Sequence, residues 1–357
     1  MTRWLKRRAP LLCVAALLAA TALLGERLAT ARGSAYTSSP NLPPSVALIT
    51  VFLGGFRGLI NDMLWIRAAV LQEQGRYFEL VQLADWITAL EPQHTSVWAL
   101  QAWNMAYNVS ILMPDKPGRW RWVQNGLHLL RDRGLPATGQ DSSICLELGM
   151  LFQHKIGGIA DESADYYKYM WARQIMQAAC RDGRLETADS DVLSHEFKMD
   201  LATMQALETS YGPLDWRIPE AHAIYWAYVG RSRATDTKTT VLCQRMMYQC
   251  LATLVESGTM TTEPQGRFMV IATALPLLPG AIRAFEEALP DDPVANEGFA
   301  NFLRRSIALL VFYHNPDEAQ TLFTLLHQRY PTQDTAAGFD QFTRNRQMFM
   351  PKIITVE

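Results

Sequence analysis

The chain has 357 residues, of which 49% are hydrophobic and 19% charged, with a formal net charge of −2. That composition excludes a disordered polyelectrolyte and provides no electrostatic basis for binding nucleic acid. Ten Trp, twelve Tyr and fifteen Met are material for helical core seams.

Residues 1–8 are a basic segment carrying Arg3, Lys6, Arg7 and Arg8, and residues 9–25 are an uncharged apolar run. Positive residues ahead of such a run keep the N-terminus in the cytoplasm and send the downstream chain across the membrane. The run sits at the lower limit for a spanning helix and near the length of a long signal-peptide core. It is read as a retained signal anchor, single-pass in the inner membrane, with the rest of the chain periplasmic. Cleavage after Ala31, within Ala29-Thr30-Ala31, is the alternative and would release the protein into the periplasm. Cys13 lacks the small residues that a lipoprotein signal places before its cysteine. Residues 26–45, polar and proline-bearing, form a linker. The apolar run Val46 to Phe56 is too short to span and reads as a buried helix start or an interfacial segment, opening a helical domain taken as 46–331, with 332–357 as a C-terminal tail.

Within 46–331 apolar residues recur at three and four, and Gly or Pro punctuates the pattern every fifteen to twenty residues, which predicts an all-α fold. Three stretches share the spacing of the skeleton A-x3-F-x2-A-x4-P. They are Leu80, Ala84, Ile87 and Pro92; Ala281, Phe285, Ala288 and Pro293; and Ala319, Phe323, Leu326 and Pro331. The pattern resembles the second helix of the tetratricopeptide repeat (TPR). Gly75 and Tyr77 stand at the inter-helix turn of that repeat. Trp98 and Ala102 stand where its first helix carries a large and a small residue, and Cys145, Leu148, Gly149 and Phe152 fall in the same frame. Leu80 departs from the usual alanine, and loops such as "MPDKPG" break the period. The resemblance implies an α-α superhelix, a TPR-like solenoid of about seven helix pairs, behind the N-terminal membrane helix. Leu53 to Asn108 also resembles a group of uncharacterised bacterial membrane-anchored helical-repeat proteins, which implies no activity.

The stretch "YGPLDWRIPEAHAIYWAYVG" concentrates Asp215, Arg217, Glu220 and His222, residue types that hydrolases and metal enzymes use. Pro219 suits the first helical turn and Glu220 faces the positive end of the dipole. His222, Tyr225, Trp226 and Val229 then share one face. The stretch is therefore read as a helix start, with Asp215 and Arg217 pairing with each other or with backbone. Asp236 is the expected N-cap of the next helix.

Phosphate-binding, nucleophile-elbow and zinc-protease signatures are missing from the sequence. The seven histidines are scattered, so no metal and no cofactor are expected. Cys243 and Cys250 lie about 10 Å apart on one helix, too far to bridge. Cys145, Cys180, Cys243 and Cys250 read as small buried hydrophobes, with a Cys145–Cys180 bridge as the alternative. The expected function is a membrane-anchored protein–protein interaction scaffold whose concave groove holds a peptide or helix of a cell-envelope protein. Groove residues are expected at Trp103, Asn104, Tyr107, Asn108, Asp215, Arg217, His222 and Trp226. Packing between units is the alternative role for Trp98, Trp103 and Tyr107. Arg119, Arg121, Arg131 and Arg133, beside Trp120 and Trp122, read as a solvated basic face or a contact for anionic lipid or an acidic partner. The rival function is a glycan-acting envelope enzyme with a site at Asp215, Glu220 and His222.

Overall fold

The computed structural model describes residues 57–158, 161–262, 269–344 and 354–356, together with the single residue Ala20. The basic segment, the linker, the run 46–56 and, apart from Ala20, the expected anchor lie outside the described residues. Among the described residues no helix is long and apolar enough to cross a membrane. They are predominantly helical and divide into two compact units, Met1–Asn104 and Met105–Glu357.

In the first unit α1 (Arg57–Glu73) and α2 (Tyr77–Leu90) form a hairpin, followed by α3 (Thr95–Trp103). Gly75 makes the turn at φ +68°, a left-handed conformation that costs glycine little. Leu80, Leu83 and Ile87 of α2 pack with Ala68, Leu71 and Val97 into one apolar cluster. Gln101 donates to Asp85 Oδ1 at 2.9 Å and Trp98 Nε1 donates to the Pro92 carbonyl at 2.8 Å, so α3 is latched polar-to-polar onto the preceding helix and turn.

The second unit contains α4 (Lys116–His128), α5 (Ser142–Met150), α6 (Ala164–Ala178), α7 (Leu201–Tyr211) and α8 (Pro219–Arg233). It continues with α9 (Thr237–Ser257), α10 (Leu278–Ala288), α11 (Pro293–Phe312) and α12 (Pro316–Arg329). Aspartates cap α4, α5, α7, α9 and α11: Asp115, Asp141, Asp200, Asp236 and Asp292 each accept from a backbone N–H of the first turn, satisfying donors that a helix start leaves open. The expected cap at Asp236 is thus present. π-helical turns at Leu129–Gly134, Leu151–Ile156 and Leu193–Phe197 extend three of the helical stretches.

Every apolar position of the three sequence skeletons is buried, from Leu80, Ala84 and Ile87 through Ala281, Phe285 and Ala288 to Ala319, Phe323 and Leu326. Their prolines fall at helix breaks: Pro92 follows α2, Pro293 opens α11 and Pro331 follows α12. The all-α reading meets one departure. Between α9 and α10 the chain forms β1 (Thr259–Thr262) and β2 (Met269–Ala272), and β3 (Ile354–Val356) completes an antiparallel sheet in the order β1-β2-β3. Two short runs rich in β-branched residues, "TMTT" and "MVIA", pair Thr259 with Ala272 through Thr262 with Met269. Met269 in turn pairs with Val356, which brings residues of the expected tail into the sheet. Phe342, from the same stretch, is buried with its ring centroid 5.1 Å from that of Phe323.

Candidate functional site

The polar stretch before α8 is a helix start. Pro219 opens α8 and Glu220 lies in its first turn. Asp215 and Arg217 form a bidentate pair, Nε to Oδ1 at 2.8 Å and Nη2 to Oδ2 at 2.7 Å. Asp215 Oδ2 also accepts from the Met260 N–H at 2.9 Å, and Arg217 donates to the Met260 carbonyl. The pair therefore ties the loop before α8 to β1. Gly183 makes this possible: a Cβ there would lie 2.3 Å from Asp215 Oδ1 and 2.6 Å from Arg217 Nε, and its φ is +79°.

His222 is fully buried, with Nε2 2.7 Å from the Trp216 carbonyl oxygen. A carbonyl only accepts, so Nε2 carries the proton and Nδ1 is the bare nitrogen. Phe152 stacks on the imidazole at 5.1 Å, while Trp171 and Trp216 present edges at 4.8 and 5.8 Å. Neither His222 Nδ1 nor Trp171 Nε1 has a hydrogen-bond partner among the described residues. Burial, with the Arg131 charge adding to it, pushes the imidazole down to about 4, so it is neutral at physiological pH. Burial pushes the Glu220 carboxyl up to about 7, against the opposing pull of Lys168. Its Oε1 lies 2.8 Å from where a Cβ on Gly157 would stand.

No hydrogen bond or ion pair among the described residues joins Asp215, Glu220 and His222. The first is consumed by Arg217 and Met260, and the other two sit inside the protein. His222 and Trp226, expected to line a groove, are also withdrawn from it. The reason is the position of α8, which packs against both α5 and α9. Its residues from Pro219 to Ala227 are buried without a break, the mark of a helix enclosed on all sides. Asp215 and Arg217 retain side-chain exposures of only 11% and 12%. Asn104 is buried too, donating to the Tyr77 carbonyl at 3.2 Å. Trp103, Tyr107 and Asn108 are half-buried.

The four cysteines of the described residues are free and buried; burial pushes the Cys145 thiol up to about 11, which leaves it unreactive. The expected basic face is divided. Arg121 and Arg133 are exposed, but Arg131 is buried against Asp132 at 2.7 Å and Arg119 lies 3.7 Å from Asp161. A buried cluster not foreseen from the sequence surrounds Lys155. Its ammonium sits 2.5 Å from Asp161 Oδ2 and over the rings of Tyr107 and Tyr167 at 5.1 and 5.6 Å. The hydrogen bonds and charge of Lys155, Ser163 and Tyr167 hold the Asp161 carboxyl below its usual range despite its burial.

An open site lies on α9 and α11. Arg245 of α9 pairs with Asp292 at the start of α11, Nη2 to Oδ1 at 2.7 Å. About three turns further along both helices, Glu256 of α9 pairs with Arg305 of α11 at 3.2 Å. The two pairs occur in the same order on both helices, so α9 and α11 run parallel, and α10 packs against each. A groove of about 510 Å³ runs over this face. Gln249, Thr253 and Glu256 line it from α9, Glu297, Gly298, Asn301 and Arg305 from α11, and Gln153 from the π-helical turn. Tyr248 and Phe285, stacked at 4.4 Å, form the floor. A Cβ on Gly298 would sit 3.4 Å from Phe285 and 4.0 Å from Tyr248, so the glycine lets the groove reach down to these buried rings. The Tyr248 hydroxyl donates to Asp292 at 3.1 Å, fixing the ring to the α11 cap. Sequence periodicity contains these positions as polar stripes at helical spacing, but not the fact that the two stripes confront each other.

The fold thus defines an all-α protein with a small antiparallel sheet and an amide-lined groove between parallel helices. No family model, curated protein or solved structure matches this chain.

Proposed function

We propose that this protein is a membrane-tethered interaction scaffold whose groove on α9 and α11 holds an extended peptide segment of a cell-envelope protein. The groove is the observation that carries the reading. Gln153 Nε2 donates to Gln249 Oε1 at 3.2 Å, and the amides of Gln153, Gln249 and Asn301 still combine donors and acceptors, the pair of functions that a peptide backbone presents at every residue. The walls are braced at both ends by ion pairs, so little ordering is needed on binding.

In this reading the helical hairpins belong to a TPR-like superhelix of about seven pairs, and α9 and α11 occupy the place of its groove-lining helices. Residues 9–25 form the anchor in the inner membrane, 26–45 the linker, and the helical body is periplasmic. No cofactor and no metal take part. The groove expected around Trp103 to Asn108 gives way to the one on α9 and α11.

Photo-crosslinking in native membranes tests the proposal. A crosslinker at Asn301 is expected to yield a discrete protein adduct, whereas one at Gln320, exposed on α12, is expected to yield none. Equal adduct patterns at the two positions, or none at either, would overturn it.

A further inference from the structure

Resting on the peptide-groove reading, we infer that the bound segment presents a lysine or arginine side chain to Glu297. The cations that border the groove are already committed. Arg305 pairs with Glu256 at 3.2 Å, and Arg245 is held by the buried carboxylate of Asp292 at 2.7 Å. Glu297 is exposed on the α11 wall and has no ion-pair partner among the described residues. The remaining polar lining is neutral, from Gln153, Gln249, Thr253 and Asn301. Of the described charged residues lining the groove, two are acidic and one is basic, and among them the uncompensated charge is the carboxylate of Glu297.

The neighbouring surface suits the stem of such a residue. Gly298 places no side chain over the buried rings of Tyr248 and Phe285, so the groove stays open next to Glu297. An aliphatic stem covers apolar surface while its charged head reaches outward. Val294, 56% exposed one turn before Gly298, supplies the apolar surface that such a stem covers. An acidic side chain placed there meets Glu297 with no unpaired cation beside it among the described residues, and like charges brought together reject a partner.

The test uses the purified full-length chain in detergent and an immobilised array of short Gly/Ser-rich peptides. Each peptide carries one apolar residue and a central Lys, Arg, Gln or Glu. Lys and Arg peptides are expected to bind at least about tenfold more tightly than their Glu counterparts at low salt. Glu297→Gln is expected to remove that preference and Glu297→Lys to reverse it, each with the melting temperature of the parent. A preference that is absent, or that survives Glu297→Gln, overturns the inference. The underlying reading fails separately. Binding indifferent to Gly298→Leu places the peptides outside the groove, whereas binding blocked by Gly298→Leu but blind to central charge removes only the role of Glu297. Failure to bind any peptide counts against both.

Discussion

Arg245 and Asp292 join two helices that are far apart in sequence, the guanidinium Nη2 lying 2.7 Å from a carboxylate that is itself fully buried. Asp292 also caps α11 through the Val294 N–H and receives the Tyr248 hydroxyl, so one side chain sets the start of α11, its distance from α9 and the tilt of the groove floor. Removing one member of a buried pair leaves the other without compensation, and a lost N-cap adds about 1 kcal/mol. Asp292→Ala is expected to cost about 3 kcal/mol in chemical denaturation, and Arg245→Gln less, because Arg245 is partly exposed. The hydrogen bonds from Arg245 hold the Asp292 carboxyl below its usual range. That stabilisation is present above the unfolded carboxylate range and is lost as pH falls below about 4. A cost under about 0.5 kcal/mol for Asp292→Ala, the range of ordinary surface changes, would show that the pair does not brace the groove.

The buried centre of α8 predicts two opposed pH dependences. Burial raises Glu220 to about 7, so the folded state holds that proton more tightly than the unfolded chain does. Stability from this group is highest below pH ~4.5 and declines as pH rises to about 7. Burial lowers His222 to about 4, and its contribution is full above pH ~6.5 and declines as pH falls to about 4. Glu220→Gln should therefore stabilise the protein at pH 8 relative to the parent. It should also make the acid limb steeper, since the opposing term is gone. His222→Gln should flatten that limb. Urea midpoints across pH 4 to 8 measure both, and parallel curves for parent and variants would show that neither group titrates as its burial requires.

Much of the helical core was legible because burial in a helix repeats at the period that the sequence displays. Ala84 and Ala288 stood out as small residues in a repeated skeleton, and both are buried in helix contacts. Ala84→Leu and Ala288→Leu should each lower the melting temperature through overpacking, by about 1–3 kcal/mol, with hydrogen exchange rising first around the substituted hairpin. Unchanged melting would mean that neither site is a close contact. The start of α8 and the cap at Asp236 were legible for a similar local reason, since Pro219 and Asp236 act on their own first turn.

The features that escaped reading depend on distant partners. Nothing local marks His222 and Trp226 as enclosed, because α5 and α9 close over them from elsewhere in the chain. Lys155 meets Asp161, Tyr107 and Tyr167 only once the chain has folded. β1 and β2 are too short for a clear period of two, and the polar stripe of α11 reads as an ordinary solvated face until α9 stands beside it.

The proposed tether predicts topology. A reporter active only outside the cytoplasm, fused after Glu357, is expected to be active, and the full-length protein is expected to resist carbonate extraction. Recovery in the soluble fraction at a mass reduced by about thirty residues, the length of a secretory signal peptide, would instead establish cleavage near Ala31.

Gly298→Leu tests the central claim most directly. A leucine at this position extends from a Cβ in ordinary contact with Phe285 and Tyr248 into the open groove, so it fills the binding face while leaving the packed interior alone. The measurement is the yield of the Asn301 photo-adduct in native membranes, parent against variant, with melting temperatures in parallel. The account predicts loss of the adduct by at least about tenfold, the equivalent of 1.4 kcal/mol in binding, at an unchanged melting temperature. An undiminished adduct in a folded Gly298→Leu protein would contradict it.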